Sequence, residues 1–242
     1  GMITTNSINL NYRRNKFNLF GDYSMGIDGR RPLFKNYRRV VDQGVVQELN
    51  TVSDRHPTRY THNARIGVDY QVNKKTMVGF LASGYINRYD MHENITTQLY
   101  TDSQKDTLIL ISNKEVNNWQ HAKFNLNLQH TIRPGEMLSF DVDYLIYDND
   151  QPFTYENDYY KPADNFLFTE NVRTSKKTPI WFWVGKADYT KNINDKTSLE
   201  AGVKATFSRF DNDVSVERSQ NNGWQTDPLY TSSATLKENI TA

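Results

Sequence analysis

Residues 148–168, DNDQPFTYENDYYKPADNFLF, carry the densest set of side chains with chemical potential in this chain. Phe153, Tyr155, Tyr159, Tyr160, Phe166 and Phe168 alternate with Asp and Asn. Amphipathic rings beside hydrogen-bonding groups suit capture of a polar organic ligand by stacking. The same rings could equally fold the segment over a small aromatic core of its own. Asp148 and Asp150 offer oxygen ligands for a hard cation, but the rest of a calcium-loop spacing is missing. Asp90, His92 and Glu93 form a second possible cation group, with a solvated surface as the plainer reading. The five histidines are scattered at 56, 62, 92, 121 and 130. The sequence contains no Cys, so thiolate metal sites, disulfides and Cys nucleophiles are excluded. It has neither a phosphate-cradling glycine loop nor a G-x-S-x-G nucleophile turn. No catalytic constellation is present, and no cofactor or metal is expected.

The elements that must position these residues are β-strands. Tyr60, His62, Ala64, Ile66, Val68, Tyr70 and Val72 alternate with Asn63, Arg65, Gly67, Asp69 and Gln71. A period of two marks a strand with one apolar and one polar face. The same pattern recurs at Ile8–Tyr12, Phe17–Met25, Ala122–Ile132, Leu138–Ile146 and Leu199–Phe207. Helical spacing fits none of these runs as well, so the chain is all-β. The polar faces carry charges of both signs: Arg65, Asp69, Lys123, Asp141, Asp143, Lys186, Asp188, Glu200 and Lys204. They could line a wet lumen or simply face solvent.

Short polar turns fall at Arg14-Asn15, Asn73-Lys74, Pro134-Gly135 and Asn194-Asp195, roughly 60 residues apart. Between them lie long polar connections near 30–52, 90–115, 150–178 and 211–227. Strict alternation of short and long connections is the habit of an up-and-down outer-membrane barrel. Tyr12, Tyr70 and Tyr189 sit close to the short turns, and Tyr60, Trp119, Tyr144 and Trp181 sit farther along. Ten tilted residues rise about 26 Å, matching the ~25 Å apolar band between two aromatic girdles. On this basis the apolar face of residues 60–72 is expected to touch lipid.

Composition agrees. Mean hydropathy is −0.77, low for a buried globular core. Yet the chain has 15 Tyr, 12 Phe and 4 Trp, too many for a disordered polar chain. The net charge of +1 gives no field for nucleic acid. No apolar run approaches the ~18 residues of a transmembrane helix. Gly1 and Met2 read as an expression scar.

The segments LNYRRNKFNLFGDYS, HNARIGVDYQVNKKTMVGF, LSFDVDYLIYD, KADYTKNINDKTSLEAGVKATFSRFDND and YTSSATLKENITA resemble the Bacteroidetes outer-membrane β-barrel family of TonB-dependent receptors. The resemblance implies location in the Gram-negative outer membrane and contact with its lipid. It also implies uptake of a nutrient (an iron chelate, a cobamide or a glycan) without chemical change, so no enzyme. In that family a plug domain precedes the barrel and links it to the TonB system. This chain shows no plug and ends inside a strand pattern, so residues 1–242 are expected to form one partial barrel of about nine long strands. Long loops should lie on one side and short turns on the other. Tyr155, Tyr159, Tyr160 and Phe166, taken as a loop, are the expected ligand-binding surfaces. The alternative reading is a soluble β-sandwich that binds carbohydrate through the same aromatic residues.

Overall fold

A computed structural model describes residues 1–220 and 223–242. The alternating runs become twelve antiparallel strands, all hydrogen-bonded into a single sheet. They are β1 (Ile3–Arg14), β2 (Phe17–Asp28), β3 (Leu33–Asp42), β4 (Val45–Asn73), β5 (Thr76–Thr101) and β6 (Gln104–Arg133). There follow β7 (Glu136–Lys161), β8 (Asn165–Lys177), β9 (Ile180–Asn194), β10 (Thr197–Gln220), β11 (Gly223–Thr226) and β12 (Ser232–Thr241). Nine of these run side by side in chain order: β1, β2, β4, β5, β6, β7, β9, β10 and β12. Among the described residues β1 and β12 do not pair, so the sheet is an open barrel wall. Among the described residues no second layer covers it, which overturns the sandwich alternative.

The short turns fall at residues 15–16, 74–75, 134–135 and 195–196. Asn15 takes φ 52° and Gly135 takes φ +78°. These left-handed positions suit Asn and Gly, whose steric cost there is small. Above the turns the register sorts the two faces. One outer row runs Leu10, Gly21, Ile66, Ala82, Phe124, Tyr144, Trp183 and Phe207 across eight strands. Every member is apolar or aromatic, and Leu10 and Ile66 remain 71% and 57% exposed. With no protein layer against it, this face is built to meet hydrocarbon. Tyr60, Ala64, Ile66, Val68 and Tyr70 all lie on it, and Tyr70 packs its ring 4.5 Å from Phe17 beside the turns.

The concave face holds the charges expected of a lumen, and they satisfy one another. Arg65 pairs with Asp22 at 2.6 Å, Lys123 with Asp143 at 3.0 Å and Lys186 with Asp188 at 2.6 Å. Asn18 donates to Asp69 at 3.2 Å, and Asn125 donates to Asp143 at 2.8 Å.

Two expectations need correction. The long connections are not loops. The strands continue upward as regular hairpins, with β3 and β8 joining only there, and only residues 221–222 of the fourth connection lie outside the described residues. β5 and β6 contain 26 and 30 residues. At ~3.3 Å per residue that is roughly 85 Å of strand, far more than the band requires. Their tips close by two-residue turns, Gln43-Gly44 and Asp102-Ser103, with both φ values positive in each. That geometry matches the natural strand twist.

Trp119 is the second correction. It falls on the concave face with Lys123 and His121, not in the outer girdle, because odd positions of β6 point inward. β12 departs from the pattern of the other strands. Its Leu236 and Ile240 share the face of Phe210 and Thr206, while Lys237 and Asn239 fall beside Arg209 and Phe207. A one-residue offset in pairing exchanges the two faces of a strand, so the apolar row stops at Phe207.

Candidate functional site

Above the lipid-facing band the outer face turns polar, along the row Tyr60, Arg88, Asn118, Asp150 and Lys177. The concave face at this height is a different environment. Tyr85, His121, Tyr147 and Phe182 form an aromatic row over β5, β6, β7 and β9, with successive ring centroids 5.2, 4.3 and 6.3 Å apart. Above it opens a recess of about 250 Å³ lined by Arg59, Asn87, Tyr89, Glu115, Asn117 and Trp119. A second recess of about 250 Å³ shares Arg59 and Tyr89 and reaches to Asp28 and Arg30. The Arg59 guanidinium stands 5.4 Å from the Tyr89 ring centroid, between the two.

These side chains are held from behind. Asn149, only 4% exposed, donates to Asn117 Oδ1 at 2.8 Å and to the Asn118 carbonyl at 3.1 Å. Gln151 donates to Glu115 Oε1 at 3.2 Å. Trp119 Nε1 donates to the Tyr85 hydroxyl. One step higher, Glu93 is 4% exposed and accepts from Arg55 at 2.6 Å, from Asn113 at 3.1 Å and from Ser53. Burial pushes the Glu93 carboxyl up, but the three hydrogen bonds outweigh it and hold the group below its ordinary value. Burial dominates at Glu115, whose carboxyl is raised despite the Gln151 bond. Two carboxylates on one face are thus driven in opposite directions.

The residues proposed from sequence are strand residues, and they divide between the faces. Tyr155 and Tyr159 lie on the concave face of β7. Tyr155 aligns with Phe153 at 6.0 Å, and Tyr159 stacks on Phe168 at 4.6 Å. Burial raises both phenols. Leu167 is an extra residue in β8, so the pairing shifts there and Tyr160 meets Phe166 on the opposite, convex face at 5.6 Å. Tyr155 and Tyr159 therefore share the concave face, each against a different ring, whereas Tyr160 and Phe166 pack together on the convex face.

The possible cation groups do not assemble. Asp90 and His92 point outward and Glu93 inward, and Asp148 and Asp150 face away from Asn149. Among the described residues no group of three metal-ligating side chains forms.

Arg59, Tyr89, Glu115 and Asn117 escaped sequence reading, and Trp119 was read as a girdle residue, because their segments carry little apolar alternation. Continuing the parity of Arg65 and Lys123 upward along β4 and β6 would have found them, since Arg59, Glu115, Asn117 and Trp119 are odd-numbered like those two.

A single twisted sheet with a lipid-facing convex side, a polar concave side and nine sequential strands is the wall of an outer-membrane β-barrel. Residues 129–242, just under half of the chain, match the family model described as the outer membrane protein beta-barrel family. The matched segment starts within β6 and runs through β12, and β1 to β5 extend the same sheet with the same alternation. The match supports a place in the outer membrane. A search of curated proteins finds no match to the chain.

Proposed function

We propose that this wall belongs to a TonB-dependent outer-membrane receptor of the kind found in Bacteroidetes. Such a receptor takes up a nutrient (an iron chelate, a cobamide or a glycan among the candidates) without altering it. The observation that carries the reading is the continuity of one face. The mixed-charge lumen of the membrane band runs without interruption into the aromatic row and the two recesses above it. A ligand held at the recesses is already on the surface that leads inward. A plug domain would occupy the lumen against Asp22, Arg65, Lys123 and Asp143, and would couple the barrel to the TonB system. No chemistry is asked of the wall, whose carboxylates serve as hydrogen-bond acceptors.

The test is made in cells. Loss of the full-length protein should prevent growth on one limiting nutrient, and loss of TonB coupling should reproduce the defect while leaving surface binding of that nutrient intact. Uptake that persists without TonB coupling would refute the receptor reading and favour a passive pore.

A further inference from the structure

Four arginines beside the two recesses or further along this face are neutralised by carboxylates. Arg55 pairs with Glu93, Arg65 with Asp22, Arg30 with Asp28, and Arg218 with Glu170 and Asp227. Arg59 differs: among the described residues its guanidinium lies over an aromatic ring and makes no direct ion pair, Asp28, its cross-strand neighbour, being bonded to Arg30 instead, and it borders both recesses. On the far side of the first recess the imbalance is reversed. Glu115 has one amide donor, Gln151, and no cation within ion-pair distance among the described residues.

We infer that the recess between Arg59 and Glu115 binds a zwitterionic small molecule, a short peptide with free ends. Its carboxylate lies on Arg59, and its ammonium lies on Glu115. The inference rests on the reading that this face captures a ligand, and it names the ligand's chemistry. The dimensions agree. β4 and β6 are separated by one strand, about 10 Å, and Glu115 stands one pair, about 7 Å, above the row of Arg59. The charged ends of two inward-leaning side chains then lie closer than the ~12 Å between their backbones. Two or three extended residues span about 7–10 Å. Asn87 and Asn117 sit between the poles, where amides can bond a peptide group, and Tyr89 and Trp119 flank it as surfaces for its side chains. An anionic sugar would satisfy Arg59 but set its charge against Glu115. A neutral sugar would leave Glu115 without a cation and Arg59 without a direct ion pair. Only a ligand with both poles completes both ends.

The test is calorimetric titration of the full chain in detergent with trialanine, N-acetyl-trialanine, trialanine amide and maltotriose. Trialanine should bind, and blocking either end should weaken binding at least tenfold. Arg59→Gln should abolish the distinction between acid and amide, and Glu115→Gln that between free and acetylated amine. Glu115→Gln keeps the shape of the side chain, Arg59→Gln removes the guanidinium and shortens it, and unchanged strand circular dichroism confirms that each variant is folded. Absence of trialanine binding, equal binding of the blocked peptides, or preference for maltotriose would each overturn the assignment. Peptide binding without TonB-dependent uptake would refute the transport reading alone, whereas uptake of another nutrient without peptide binding would refute only this one.

Discussion

Leu126 and Asn127 are neighbours in β6, yet a lysine placed at each should have opposite consequences. Leu126 lies on the convex face between Phe80 and Val142 and is 55% exposed to whatever surrounds the sheet. It stands seven residues above the end of β6 at Arg133, near the middle of the apolar band. A lysine at the midplane of a lipid-facing strand costs about 2–4 kcal/mol, so Leu126→Lys should lower the folding equilibrium constant in a bilayer about 30- to 1,000-fold. Asn127 lies on the concave face between Gly79 and Asp141. Asn127→Lys gives up one hydrogen bond to Asn125 and gains a carboxylate neighbour, so its cost should stay below about 1 kcal/mol. The assay is a urea titration of each variant refolded into phospholipid vesicles, read by tryptophan fluorescence and gel mobility. Equal losses for the two variants, or a larger loss at Asn127, would refute the facing of the sheet. In detergent with a loosely packed shell the Leu126→Lys penalty should shrink, because the head group reaches water more easily.

Three further outcomes follow from the same geometry. Tyr155→Ala and Tyr159→Ala should each weaken ligand binding to the full chain by about 0.5–1.5 kcal/mol, whereas Tyr160→Ala should leave it unchanged; a titration showing the reverse order would move recognition to the convex face. Glu93 has a depressed folded value, so its contribution is present above the ordinary glutamate value and is lost as pH falls through the folded one. Glu115 is raised and carries a penalty at neutral pH. Glu93→Gln should therefore destabilise the hairpins by roughly 1–3 kcal/mol at pH 7 and Glu115→Gln should stabilise them, as measured by amide exchange at β5 and β6. A Cβ at Gly84 would stand 2.4 Å from the His121 carbonyl oxygen, so Gly84→Val should force β5 and β6 apart at a cost of about 1–3 kcal/mol, visible as a lower urea midpoint.

The wall was legible in the sequence wherever one face meets lipid, because hydrocarbon on one side and water on the other imposes a strict period of two. Ile66 against Arg65 and Leu126 against Asn127 carry that signal directly. Above the band both faces are wet, the constraint relaxes, and residues 90–115 read as a polar loop although they form the regular upper part of the β5–β6 hairpin. Trp119 was misplaced by height alone, since distance from the turn does not distinguish the faces and its parity does. Tyr160 and Phe166 were separated from Tyr155 by pleat and bulge. Adjacency in sequence had suggested one surface where a strand makes two.

The uninterrupted passage of β4 to β7 from bilayer to hairpin tip also restricts how such a wall can change over generations. Point substitutions at alternate positions such as Asn87, Tyr89 and Trp119 can retune recognition while the lipid-facing set is untouched. Insertions are constrained differently. A single added residue reverses every side chain beyond it unless a bulge absorbs it, as Leu167 does in β8. These hairpins can therefore lengthen or shorten freely only in matched steps of two residues per strand. Each such step shifts the tip turn by about 7 Å and returns the same face to the ligand.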